Sequence, residues 1–158
     1  MQDVGITMTA HSPLAEPMDR PMWMGVLARA KPARLAQLFP DMPDHSILRA
    51  PEVGAVMVRG RIGGVGQPFN FGEMTITRCI LALTAGGVGH AYVQGRDKAH
   101  AMRAAAVDAL LQTDAAHQMR TTVLAPLAAE EAARRITRAT KAAATKVEFF
   151  TLVRGEDQ

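Results

Sequence analysis

Only one cysteine occurs in the 158 residues, and aromatic side chains make up 4% of them. A single thiol forms no internal disulfide, and it cannot hold an iron–sulfur cluster, which takes about four cysteine ligands. Cys79 lies in the apolar run Cys79-Ile80-Leu81-Ala82-Leu83, a setting for a buried structural thiol rather than a reactive one. Any redox chemistry must come from another chain. No stretch of about 18 apolar residues is present, so no helix is expected to span a membrane. The N-terminus lacks a basic start followed by an apolar run, so no secretory leader is expected. These features point to a cytosolic protein.

The familiar catalytic patterns are missing as well. There is no Gly-x-Ser-x-Gly elbow, no His-Glu-x-x-His, no Cys-x-x-Cys and no dinucleotide fingerprint. His11, His45, His90, His100 and His117 lack the short spacings of a zinc site, so no metal site is expected. No residue can be assigned as catalytic. A net charge of +3 and a pI near 9.5 leave room for a basic nucleic-acid-binding module. That alternative lacks a helix-turn-helix signature, a zinc finger or an aromatic stacking platform. A stand-alone transferase is the other alternative.

What the chain does have is 48% hydrophobic residues, rich in alanine and methionine, which suffices for one core of close-packed helices. Residues 1–17 show no periodicity and read as a flexible arm, leaving a single domain over 18–155. Asp19 offers an N-cap, with Pro21 in the first turn of a helix carrying Trp23, Val26, Leu27 and Ala30 at helical spacing. A second short helix with Leu35, Leu38 and Phe39 stops at Pro40. The period then changes to two. Val56, Val58 and Ile62 are expected to face a core, with Arg59 and Arg61 opposite. Gly63-Gly64-Val65-Gly66-Gln67-Pro68 forms a turn, Met74–Leu83 a second strand, Ala85-Gly86-Gly87 a hairpin, and Val88–Gln94 a third strand. Asp97–Gln112 reads as helix, Thr121–Leu124 as a short strand ended by Pro126, and 128–144 as a long alanine-rich helix. In that helix Glu130–Arg134 and Glu131–Arg135 support an exposed charged face. Ala129, Ala133, Ile136, Thr140 and Ala143 lie opposite, against the protein's own sheet or a partner helix. Val147–Val153 closes the chain as a strand. The fold class is α+β, an antiparallel meander packed with N-terminal and C-terminal helices.

Three clusters carry chemical potential. Arg59 and Arg61, the turn glycines Gly63, Gly64 and Gly66, and Arg78 form the first. Glycines admit a ligand close to backbone amides, and arginines neutralise phosphate or phosphonate oxygens. The plainer reading is a hairpin with a solvated arginine edge. Arg78 shares its strand face with Met74, Ile76 and Ile80 and therefore needs a partner, a bulge or an interface. The second cluster, Arg96, Asp97, Lys98 and His100, stands where a strand hands over to a helix, a place that favours anions. Asp97 as a simple cap and Arg96 and Lys98 as surface charges are the structural alternative. Phe149, Phe150 and Arg154 form the third, an interface or a terminal core strand.

These clusters sit within an ordered set of short motifs. Arg49-Ala50 with Glu52 and Gly54 comes first, then Arg61-x-Gly63-Gly64-x-Gly66 and Gly72-Glu73-x-Thr75-x-Thr77-Arg78. Val93-Gln94-Gly95-Arg96-Asp97-Lys98-x-His100-Ala101 and Asp108-Ala109-Leu110 follow, then Ala125-Pro126-Leu127 and Phe149-Phe150-Thr151-x-Val153-Arg154-Gly155. In this order the motifs resemble the G subunits of the bacterial carbon–phosphorus lyase system (the PhnG family) from about Met22 to Gly155. The resemblance implies a subunit in phosphonate catabolism, inactive alone. With the H, I and L subunits, such proteins replace the adenine of ATP with methylphosphonate, giving α-D-ribose 1-methylphosphonate 5-triphosphate. It further implies nucleosidase chemistry on the I subunit, and carbon–phosphorus cleavage on the J subunit with S-adenosylmethionine and an iron–sulfur cluster. The core implied contains two copies each of G, H, I and J, with no cofactor bound by this chain alone and neither nucleic acid nor membrane as partner.

Overall fold

The computed structural model describes residues 18–145. The expected arm over 1–17 and the terminal strand over 147–153, with Phe149, Phe150 and Arg154, lie outside the described residues.

Helix α1 spans Arg20–Arg29, and the Asp19 carboxylate caps it by accepting the Met22 amide at 3.0 Å. Trp23, Val26 and Leu27 turn into the core, and α2, Pro32–Leu38, adds the fully buried Leu35. Three antiparallel strands follow in the spatial order β1-β2-β3: His45–Arg61, Pro68–Leu83 and Val88–Gln94. The meander is the expected one, but β1 starts at His45 and β2 at Pro68, well before the alternating stretches that mark them in the sequence. Pro51 is tolerated inside β1 because that strand lies at the sheet edge and its register shifts between Arg49 and Glu52.

Helix α3, Lys98–Leu110, lies on one face of the sheet, packed against β2 and β3. Thr77, Cys79 and Leu81 of β2 and Ala91 and Val93 of β3 point toward it at every second position, and all five are buried. Its own contribution is small side chains: Ala101, Ala104, Ala105, Ala106 and Ala109 are each at most 1% exposed. The approach is so close that a Cβ on Gly89 of β3 would run into the Ala105 carbonyl. Helices α1 and α2 pack on α3, and the buried Val123, Leu124 and Leu127 complete the core.

Four expectations are corrected. Thr121–Leu124 is not a strand but part of a π-helical turn, Arg120–Leu124, between the short α4 (Ala116–Met119) and α5 (Ala125–Ala144). The Thr121 and Thr122 hydroxyls donate back to the carbonyls of His117 and Gln118, which offsets the strand preference of β-branched residues. Pro126 therefore sits in the first turn of α5, directly after the π-helical turn. Ile62 is 66% exposed at the hairpin tip and faces no core. In α5 the docked and free faces are reversed. Glu131 binds Arg29 of α1 at 2.6 Å and Glu130 binds Arg34 of α2 at 2.6 Å, while Ala129, Ala133, Ile136, Thr140 and Ala143 are all exposed.

Beyond the core the sheet becomes a ribbon. β3 pairs only with Ile76–Ala82, so the Pro68–Thr75 half of β2 has β1 as its one neighbour. Met57, Val65 and Phe71 project from this ribbon at 54%, 91% and 75% exposure.

Candidate functional site

The structure separates the first arginine cluster into two. At the ribbon tip, Gly63 and Gly64 adopt φ of 59° and 84°, a left-handed turn closed to most other residues. The Arg61 guanidinium donates to the Gly66 carbonyl at 3.1 Å, and Arg59, Gly60, Arg61, Gly64 and Pro68 line an open depression of about 500 Å³. Arg78 is not part of it. It lies about ten residues further along β2, roughly 33 Å at the strand repeat, opposite Glu52 of β1 and Tyr92 of β3.

The partner that Arg78 requires is Glu52. Its carboxylate accepts Arg78 NH2 at 3.0 Å and Nε at 3.2 Å, and also Arg49 NH2 at 3.1 Å. The bonds from Arg78 and then Arg49 hold the Glu52 carboxyl below its ordinary range, and the same carboxylate raises Arg78. One negative charge thus serves two guanidinium groups on the sheet face turned away from α3. Arg49 and Glu52, three residues apart in one motif, thus meet Arg78 of another, 26 residues beyond Glu52.

The second cluster also divides. The Asp97 carboxylate accepts the His100 amide at 2.9 Å and caps α3, so that amide is not free for an anion. His100 is buried at 2% exposure, and Nε2–H donates to the Leu27 carbonyl at 3.0 Å. Desolvation holds its pKa below the ordinary histidine value, with the Leu27 bond opposing. Its role is to tie α3 to α1. Arg96 and Lys98 remain exposed on either side of the cap. The preceding turn is built by Thr77, whose hydroxyl donates to the Gly95 carbonyl at 2.8 Å, with Gly95 at φ 91°. Cys79 is fully buried, and desolvation raises its thiol pKa.

Two further groupings escaped the sequence reading. Asp108, on the buried side of α3, is fully enclosed and accepts four hydrogen bonds. They come from Arg20 Nε at 3.2 Å, Arg20 NH2 at 2.7 Å, Trp23 Nε1 at 2.8 Å and the His90 amide at 2.9 Å. A lone acid within an alanine run was the available signal. The other grouping is a cleft between α1, the end of β3 and α5, lined by Arg29, Gln94, Glu131, Arg134, Arg135 and Arg138. Only the four-residue spacing of Arg134 and Arg138 hinted at it.

Residues 18–155 match the family model described as phosphonate metabolism protein PhnG. The chain belongs to the PhnG family. It is 47% identical over 142 residues to the alpha-D-ribose 1-methylphosphonate 5-triphosphate synthase subunit PhnG of Rhizobium meliloti (strain 1021), an alignment covering 85% of this chain and 88% of that one. Against this family background the motif residues fall into two kinds. Thr77, Gly95, Asp97, His100 and Asp108 hold the fold together through intramolecular hydrogen bonds. Arg49, Glu52, Arg61, Arg78, Arg96 and Lys98 present charge outward.

Proposed function

We propose that this chain is a subunit of a cytoplasmic α-D-ribose 1-methylphosphonate 5-triphosphate synthase in phosphonate catabolism. In this reading it acts with H, I and L subunits to exchange the adenine of ATP for methylphosphonate. It stands in a core with two copies each of the G, H, I and J chains. The S-adenosylmethionine and iron–sulfur chemistry that follows belongs to another subunit. The observation that carries the proposal is the 47% identity to a named synthase subunit across most of both chains.

The surface supports a role completed by other polypeptides. The ribbon projects Met57, Val65 and Phe71, and the free face of α5 carries Ile136 at 66% exposure, apolar surface that partner chains would cover. The nucleic-acid-binding and stand-alone transferase readings gain no support from the family match. The test is reconstitution with H, I and L subunits, measuring adenine released from ATP in the presence of methylphosphonate. Release is expected only when this chain is included. Equal release without it, or release by this chain alone, refutes the proposal.

A further inference from the structure

A concentration of unassigned positive charge lies where α5 crosses the end of α1. The cleft there measures about 300 Å³, and four guanidinium groups face one carboxylate. That carboxylate is already engaged: Glu131 accepts Arg29 Nε at 2.6 Å and lies 3.8 Å from Arg135 NH2. Arg134 and Arg138 have no ion-pair partner among the described residues. Like charges four apart on a helix repel each other, so this pair is an unfavourable arrangement that an anion in the cleft would relieve. The third wall is Gln94, the last residue of β3. Directly after it come the Gly95 turn and the exposed Arg96 and Lys98, while Asp97 between them is committed to its cap.

Planar guanidinium forks match phosphate oxygens in geometry as well as charge. The cleft volume stands at the lower end of the range for small-molecule pockets, about 300–1,000 Å³. It suits a chain of phosphates more than a whole nucleotide. We propose that the cleft between α1, the end of β3 and α5 binds a linear triphosphate chain, with Arg134 and Arg138 supplying the uncommitted cations. ATP and a ribose 5-triphosphate share that group. The identity of its bearer rests on the proposed function, whereas the cleft itself requires only an oligophosphate. Glu131 acts as a positioning residue that fixes Arg29 and Arg135 at the cleft wall and ties α5 to α1.

The test uses the full 158-residue chain in titration calorimetry with sodium tripolyphosphate, ATP and orthophosphate, each at low and moderate salt. Tripolyphosphate and ATP should bind alike and orthophosphate far more weakly. Arg134→Ala and Arg138→Ala should each weaken the first two about tenfold or more, the loss expected for one charge-assisted contact. Arg59→Ala, at the distant hairpin tip, addresses the rival arginine site. Loss that follows Arg59→Ala instead, equal loss in all three variants, or no tripolyphosphate binding overturns the proposal. In the reconstituted complex, Arg134→Ala and Arg138→Ala should raise the KM for ATP. Lost assembly with unchanged triphosphate affinity would assign the cleft to a partner's carboxylates, and so also overturns it. Triphosphate binding by a chain that proves dispensable for adenine release would sink the synthase reading and leave the cleft standing.

Discussion

Replacing Asp108 by alanine should remove a large part of the stability of the fold. The carboxylate has no exposed surface and serves three partners at once. Not all of them suffer equally. The Arg20 side chain is 40% exposed, so its guanidinium can turn to water and its loss is discounted. The Trp23 indole N–H has no such escape, because Trp23 is 7% exposed, whereas the His90 amide is part-buried on the edge strand β3. An orphaned buried donor costs about 1–3 kcal/mol, so Trp23 accounts for that much and the His90 amide adds a smaller share. That compares with about 5–15 kcal/mol for the whole stability of a typical domain. Asp108→Asn keeps one acceptor oxygen but puts an NH2 against the remaining donors, so it should fall between wild type and alanine. Trp23 is the only tryptophan in the chain, and its ring also lies 6.0 Å from the Arg120 guanidinium. Its fluorescence therefore reports on this very site during urea unfolding. The expected order of midpoints is wild type, Asp108→Asn, Asp108→Ala. An alanine variant within about 1 kcal/mol of wild type would refute the reasoning, since less than one orphaned donor would then have been created.

Two further outcomes follow from the same core. Gly89→Ala places a methyl against the Ala105 carbonyl, and the overpacking should cost about 1–3 kcal/mol or more, read as a lowered urea midpoint; an unchanged midpoint would mean that α3 can move off the sheet freely. His100 is held below its ordinary value of 6.5 by desolvation, so the unfolded chain binds its proton first as the pH falls. Its contribution is complete above that value and is lost on acidification, by at most about 1.4 kcal/mol per pH unit, until the folded imidazole itself protonates. Urea midpoints of wild type and His100→Gln between pH 7.5 and 5 should therefore differ in slope, as near as one proton allows, and parallel slopes would contradict the assignment.

The elements that were legible in the sequence are those whose local signals agree. Asp19 before Pro21, with Trp23, Val26 and Leu27 at helical spacing, fixes α1 without outside help. Gly86 and Gly87 at φ of 101° and 94° make the β2–β3 hairpin as readable as a turn can be. The first half of β1 hid because Pro51 interrupts it and two register shifts break its alternation. The π-helical turn hid because Thr121, Thr122 and Val123 favour strands in isolation, and their helical state depends on burying Val123 and Leu124. For the site, the need of Arg78 for a counter-charge was visible, but the identity of Glu52 depends on strand register. The arginine cleft was further out of reach. Arg29 and Glu131 are 102 residues apart, and only the docking of α5 brings them together.

The alanine layer between α3 and the sheet has a consequence for how this protein tolerates change. Where a core is built from leucines, a substitution can shrink a side chain and leave a hole that neighbours partly fill. At Ala104, Ala105 and Ala109 almost nothing remains to remove. Glycine is the sole smaller choice and would loosen the helix by about 1 kcal/mol, while every other residue must push the two layers apart. The contact thus behaves as a rigid stop with no slack in either direction, and it fixes the depth at which α3 seats on the strands.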